Sequence, residues 1–176
     1  MIATNIAEAA VSMAEAQAYA RVETGEEEAL LAGLVRTASA LCESFTGQVL
    51  VARPFEEMLP GGSQWQRLGL TPVRAIEEVA AVAADGSATV IPAGQFETDI
   101  DGRGDGWVRV PGGSGRKIRV RGQAGLAVDA NGVPEPLRQG ILRLIAHLFA
   151  TRDGAGGEPP AAVTALWRPY RRMRLA

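Results

Sequence analysis

The chain contains one histidine and one cysteine, His147 and Cys42, so a zinc site built from the usual Cys and His ligands cannot be completed within it. His147 falls in an apolar stretch, and the sequence identifies no carboxylate that would orient it as a general base. Cys42 lies on another apolar stretch, where a buried thiol is more common than a nucleophile. We therefore expect both side chains to be structural, with no catalytic residue, metal site or cofactor.

Two glycine-rich segments resemble binding loops but depart from them. The segment from Asp99 to Gly106 begins like a calcium loop, yet Arg103 occupies its fifth position and Val110 the twelfth, where an EF-hand needs glutamate. A hairpin turn is the better interpretation. Residues 111–117 lack the Gly-Lys-Ser/Thr ending of a phosphate-binding loop. No enzyme class fits these patterns.

The C-terminal tail concentrates aromatic and guanidinium groups. Residues 159–176 contain four arginines and no acid, whereas residues 1–60 contain nine acids and three arginines. Such a tail is typical of interface hot spots, and its arginines could equally pair with phosphates. A plainer alternative is that Trp167 packs on the core while the arginines are solvated. The candidate partner-binding residues are Trp167, Arg168, Tyr170, Arg171, Arg172, Met173 and Arg174.

Helical periodicity predicts the elements that would position this tail. Apolar residues recur at i, i+3 and i+4 through residues 24–47, and Gly47 supplies a left-handed helix end. Thr24 and Glu27, like Ser12 and Glu15, have capping-box spacing. A second broad apolar face follows Pro134. The sequence therefore predicts an antiparallel helical bundle with helices near residues 12–20, 25–46, 134–152 and 160–167.

Between the helices, residues 48–126 show short β-branched or alternating runs separated by Gly, Pro and Asp. We expect strands over residues 48–52, 55–59, 65–70, 76–82, 88–91, 96–100, 107–110 and 117–121, with a hairpin at Asp85-Gly86. The prediction is an α+β protein: residues 1–47 and 127–176 form the helical part with a docking tail, and 48–126 form an inserted antiparallel β module. No run is apolar enough for a membrane span or a signal peptide.

Three helical segments, in this order and spacing, resemble a known family. The resemblance is to the head–tail connector (adaptor, or head-completion) proteins of tailed bacteriophages and gene transfer agents. The β module matches it only loosely. The segments are residues 18–22 with the acidic run and helix of 26–47, residues 133–147, and residues 159–172.

The resemblance implies a non-enzymatic protein, assembled in the bacterial cytoplasm, that sits in the neck of the particle. There it would form a ring, usually of twelve copies, beneath the portal protein, extend the channel for packaged double-stranded DNA, and support the next neck or stopper protein. The tail would dock into the portal. Glu23, Glu26, Glu27 and Glu28 would either line the channel or pair with a neighbour's arginines.

Two other functions stay open at this point. The chain could be another neck or tail-completion component, such as a stopper or a tail terminator. It could also be a small nucleic-acid-binding module that uses the tail and the RKIRVR strand of residues 116–121. The net charge of −2 and the lack of a helix with a basic face argue against nucleic-acid binding.

Overall fold

The computed structural model describes residues 9–22, 27–112, 117–151 and 160–172. These residues form two compact units, one within residues 6–51 and 127–176 and the other within residues 52–126. The mixed α+β class is as predicted. In the described ranges, no helix combines the length and apolarity that a membrane span requires. The helices are α1 (Met13–Ala20), α2 (Glu28–Thr46), α3 (Glu135–Ala150) and α4 (Ala161–Trp167).

The short helix α1 begins with the capping box that its sequence predicts. The Ser12 hydroxyl accepts a hydrogen bond from the Glu15 backbone N–H at 3.2 Å. The Glu15 carboxylate in turn accepts bonds from the Ser12 backbone N–H and hydroxyl, both at 2.8 Å. Two of the free N–H groups at the helix start are thereby satisfied.

The long helix α2 begins later than predicted and ends as predicted. It starts at Glu28, and Glu27 takes the N-cap position but its side chain does not cap the helix. Glu27 therefore cannot be the third helical residue of the expected box, and Thr24 lies outside the described residues. Gly47 closes the helix with φ +67°, and its N–H donates to the Glu43 carbonyl at 2.8 Å.

The helical unit is centred on α3, which contacts α1, α2 and α4. One face of α3 is fully buried because its large apolar side chains recur at helical spacing. The core residues of α3 are Leu137, Ile141, Leu144 and Ile145; those of α2 are Leu31, Val35, Ala38 and Cys42.

The β unit contains two antiparallel sheets. The strands are β1 (Arg53–Pro60), β2 (Gln66–Arg67), β3 (Val73–Val82), β4 (Ala88–Val90), β5 (Glu97–Ile100), β6 (Gly106–Arg109) and β7 (Lys117–Ala124). One sheet has the strand order β1-β7-β3-β4 and the other β2-β6-β5. In β7, Ile118 and Val120 are buried while Lys117 and Arg121 are exposed, which confirms the predicted alternation.

Two strand predictions were wrong. Residues 48–52 form only one bridge, between Val51 and Ala127, and β1 instead includes Pro54. Proline is tolerated there because β1 is an edge strand, where a missing N–H costs no ladder bond on the open side. The strand predicted over 65–70 is two residues long, since the Gly69 N–H leaves the ladder to bond the Glu57 carboxylate at 2.9 and 3.0 Å.

Candidate functional site

Trp167, the first residue of the predicted docking tail, is part of the helical core. Its side chain is only 2% exposed, and its indole N–H donates to the Leu137 carbonyl at 3.2 Å. The indole also packs on Phe45, with ring centroids 5.8 Å apart. Gly140 makes room for it, since a Cβ at that position would lie 2.1 Å from the indole nitrogen. Trp167 therefore anchors the tail to the helical unit and offers no free surface in this conformation.

The residues after Trp167 cap the C-terminal end of α2. The backbone N–H of Arg172 donates to the Thr46 carbonyl at 2.8 Å, and the Gln48 side-chain amide donates to the Tyr170 carbonyl at 2.6 Å. Carbonyls at a helix end need such donors because the helix itself provides none. The described part of the tail, up to Arg172, is therefore fixed on the helical unit. Met173 and Arg174 lie outside the described residues.

The tail presents positive charge at that same end. Arg168 and Arg171 are exposed, and the Arg171 guanidinium lies 5.6 Å from the centre of the Phe45 ring. Positive side chains are favourable here because the C-terminal end of a helix carries partial negative charge. The surface combines cations with Tyr170, which is half-buried. Such a surface can pair with carboxylates or phosphates of a partner.

The predicted acidic cluster lies at the opposite end of α2. Glu27 precedes the helix, and Glu28 is exposed at its first position. Glu23 and Glu26 lie outside the described residues. A helix of 19 residues is about 28 Å long, so the acidic start and the basic tail are separate surfaces of one unit. Their separation permits contacts with two different partners.

Cys42 and His147 are the side chains that could serve as a nucleophile or a general base. Cys42 is buried among apolar side chains, and burial raises the pKa of its thiol because the charged form loses its hydration. His147 is half-buried, and its Nε2 has no hydrogen-bond partner among the described residues. Among the described residues, no carboxylate therefore bonds this nitrogen to orient the ring as a base.

The segment that looked like a calcium loop is a hairpin turn between β5 and β6, as predicted. The Asp101 carboxylate accepts backbone N–H bonds from Arg103 at 2.8 Å and from Asp105 at 2.9 Å. Within the described ranges, no group of three or more His, Cys, Asp or Glu side chains is placed to hold a metal ion.

Sequence reasoning missed an aromatic–arginine surface on the three-stranded sheet. Trp65 is 41% exposed and lies under the Arg109 guanidinium, which is 4.7 Å from the ring centre. Arg109 is held in turn by Glu97 at 2.6 Å. Only the pairing of β2, β6 and β5 brings these side chains together, so local sequence carries no signal for them.

Leu30 and Leu41 share the apolar periodicity of α2, yet they do not lie on its buried face. They are 43% and 44% exposed. The apolar residues of α2 form two neighbouring stripes, of which one enters the core. The other, which we call the leucine stripe, is made of the exposed Leu30, Thr37 and Leu41 and the half-buried Leu34.

Solved structures that resemble this chain include chains of gene transfer agent (GTA) particles. A chain in the neck of an empty GTA particle computed with C6 symmetry is 26% identical, with a TM-score of 0.79. A chain in the virion of a native GTA particle is 25% identical, with a TM-score of 0.77. Each match covers 100% of this chain and 97% of the other.

A third match, to a chain in the neck of a native GTA particle computed with C12 symmetry, has 22% identity and a TM-score of 0.77 and shows the shared fold. No protein-family model and no curated protein matches the chain. The chain therefore has the fold of a component of these particles. This agrees with the resemblance of its helical segments to proteins of tailed bacteriophages and gene transfer agents.

Proposed function

We propose that this chain is a structural, non-enzymatic connector in the neck of a phage-like particle. The observation that carries the proposal is similarity over the whole chain, at a TM-score of 0.79 and 26% identity, to a chain in a GTA neck. Because both sheets and all four helices fall within the matched length, the β unit belongs to the shared fold. It is not an unrelated addition.

In this role, copies form a ring of twelve beneath the portal protein. The C6 and C12 symmetries of the similar neck structures support a ring. The ring extends the channel for packaged double-stranded DNA and carries the next neck or stopper protein on its other side. Assembly takes place in the bacterial cytoplasm, and the finished chain resides in the particle neck.

The basic tail is the surface that we assign to the portal. Arg168 and Arg171 are exposed cations on a segment whose backbone is fixed by Thr46 and Gln48. A fixed segment loses less conformational entropy on binding than a loose one, which favours affinity. The acidic start of α2 faces the opposite direction along the helix. There, Glu27 and Glu28 either line the channel, where like charge lets DNA slide, or pair with a neighbouring copy.

The test is a charge reversal that spares the fold. The double variant Arg168→Glu/Arg171→Glu should still fold, with a melting temperature lowered only by the lost favourable charge at the C-terminal end of α2, and should lose binding to the cognate portal protein. Arg36→Glu/Arg143→Glu is the matched control, because it reverses two exposed arginines elsewhere in the helical unit. Binding is measured by co-sedimentation. If the tail variant binds as well as the control variant, the docking role of the tail is wrong.

A variant that shortens the tail must end after the residues that hold the tail on the helical unit. A chain that ends at residue 172 keeps every tail contact described above. A chain cut before Trp167 would lose a buried anchor and destabilise α3 and α4. Salt-dependent binding of the wild type to free DNA, with none to the portal, would favour the nucleic-acid alternative.

A further inference from the structure

The leucine stripe of α2 is a helix face that the described chain covers only in part, at the half-buried Leu34. Leu30 and Leu41 are 43% and 44% exposed, and Thr37 between them is exposed as well. The buried residues Leu31, Val35 and Cys42 form a separate stripe of the same helix, about 100° away around its axis. The core therefore uses one side of α2 and leaves most of a second apolar side free.

The spacing of the stripe is that of a helix–helix seam. Positions 30, 34, 37 and 41 alternate steps of four and three residues, which is the repeat that keeps one edge of a helix against another helix. The stripe runs for roughly 16 Å along α2. Gly33 borders it, and a Cβ built there meets nothing within 4 Å, so a partner backbone has room to approach.

We propose that the leucine stripe packs against a helix of a second copy of this chain. The inference rests on the proposed ring. In a closed ring of identical copies, each copy contacts its neighbours through two different surfaces, and the isolated copy exposes both of them. The stripe itself contains no charged residue, unlike the acidic start of α2 and the basic tail near its other end. Neither DNA nor a strongly charged partner would match it.

A head-to-tail contact between ring copies predicts a behaviour that a two-fold dimer contact does not. A copy with a damaged stripe still has its other ring surface intact. It can therefore join one side of a growing ring, but it cannot be extended through the stripe. Small amounts of such a copy should block ring closure in a mixture with the wild type, out of proportion to their share.

The direct test is photo-cross-linking with isotope labels. Leu41→benzoylphenylalanine is placed in the full chain, and equal amounts of ¹⁴N and ¹⁵N protein are mixed, with and without portal protein. The expected result is cross-linked peptide pairs that contain both isotopes. Ala40→benzoylphenylalanine is the control, because Ala40 is exposed on the same helix one position off the stripe.

The other outcomes overturn the inference in different ways. Cross-links of a single isotopic form would mean that the chain covers its own stripe. Cross-links only to the portal would remove the second copy but leave the proposed function standing. Equal yields at positions 40 and 41 would mean that the stripe has no specific partner. Mixed cross-links from a protein that never joins the portal would keep the inference and refute the proposed function.

A pair of matched variants completes the test. Leu30→Glu/Leu41→Glu should abolish rings and act as the ring blocker, while Ala29→Glu/Ala40→Glu should not. Both doubles add the same charges to exposed positions of α2, eleven residues apart. If the leucine double forms complete rings, or if it alone fails to fold as judged by circular dichroism, the stripe is not an interface between copies.

Discussion

Gly140 in α3 is the position where a single methyl group should do the most to loosen the tail. A Cβ at residue 140 would lie 2.1 Å from the indole nitrogen of Trp167 and 2.7 and 2.8 Å from two of its ring carbons. An indole ring cannot bend away, and its N–H is tied to the Leu137 carbonyl. Gly140→Ala therefore has to push Trp167 out of its place or separate α4 from α3.

The size of the effect follows from three contributions. Overpacking a core costs about 1–3 kcal/mol. Moving the indole leaves a buried N–H without its acceptor, which costs about 1–3 kcal/mol more. Alanine gains about 1 kcal/mol over glycine in a helix. The expected net loss in the free energy of unfolding is about 1–5 kcal/mol, in spite of the better helix propensity.

Gly33→Ala supplies the control, because the same change in α2 meets nothing within 4 Å. It should stabilise the helical unit by up to about 1 kcal/mol. Both variants are measured by urea unfolding followed by circular dichroism at 222 nm, which reports mainly on the helices. If Gly140→Ala is as stable as Gly33→Ala, the packing of Trp167 against α3 is wrong.

Three further predictions concern other parts of the molecule. Gly122→Ala should strongly destabilise the β unit, because its Cβ would lie 2.0 Å from the Ala75 backbone oxygen; tryptophan fluorescence during urea unfolding checks this, and a wild-type midpoint would contradict it. Hydrogen bonds from Ser12 lower the pKa of Glu15 in the folded protein. The Glu15 carboxylate therefore stabilises the fold above its unfolded pKa, and this stabilisation is lost as the pH falls through the lower, folded pKa. Ser12→Ala should make the loss of stability between neutral and acid pH smaller, which is measured as melting temperature against pH. Cys42 should resist alkylation at neutral pH until denaturant is added, because burial raises the pKa of its thiol; mass spectrometry that finds modification of the folded protein would contradict its burial.

The helices could be predicted because helical spacing and capping residues are local signals. Ser12 and Glu15 form the expected box, and Gly47 ends α2 as expected. Periodicity could not separate the two stripes of α2, since Leu30 and Leu31 are adjacent in sequence and both apolar. Which of them is buried depends on where α3 packs, and that is a tertiary contact.

The surfaces were harder to predict than the elements. Trp167 carries the same aromatic signal whether it docks into a partner or packs beside Gly140, and only the space left by that glycine decides between them. The Trp65 and Arg109 contact depends on the register of β2 against β6. Pro54 reads as a strand breaker, yet it lies in β1 because that strand is at the edge of its sheet.

The mass of the complex with the cognate portal protein tests most directly whether the chain is a ring-forming connector. Light scattering is measured for the purified chain alone, for the portal alone and for their mixture. We expect the portal to gain the mass of one ring, which is twelve copies of the 18.5 kDa chain, and then to gain no further mass as more of the chain is added. A portal whose mass does not change, at concentrations where the chain is folded, would contradict the assignment as a connector.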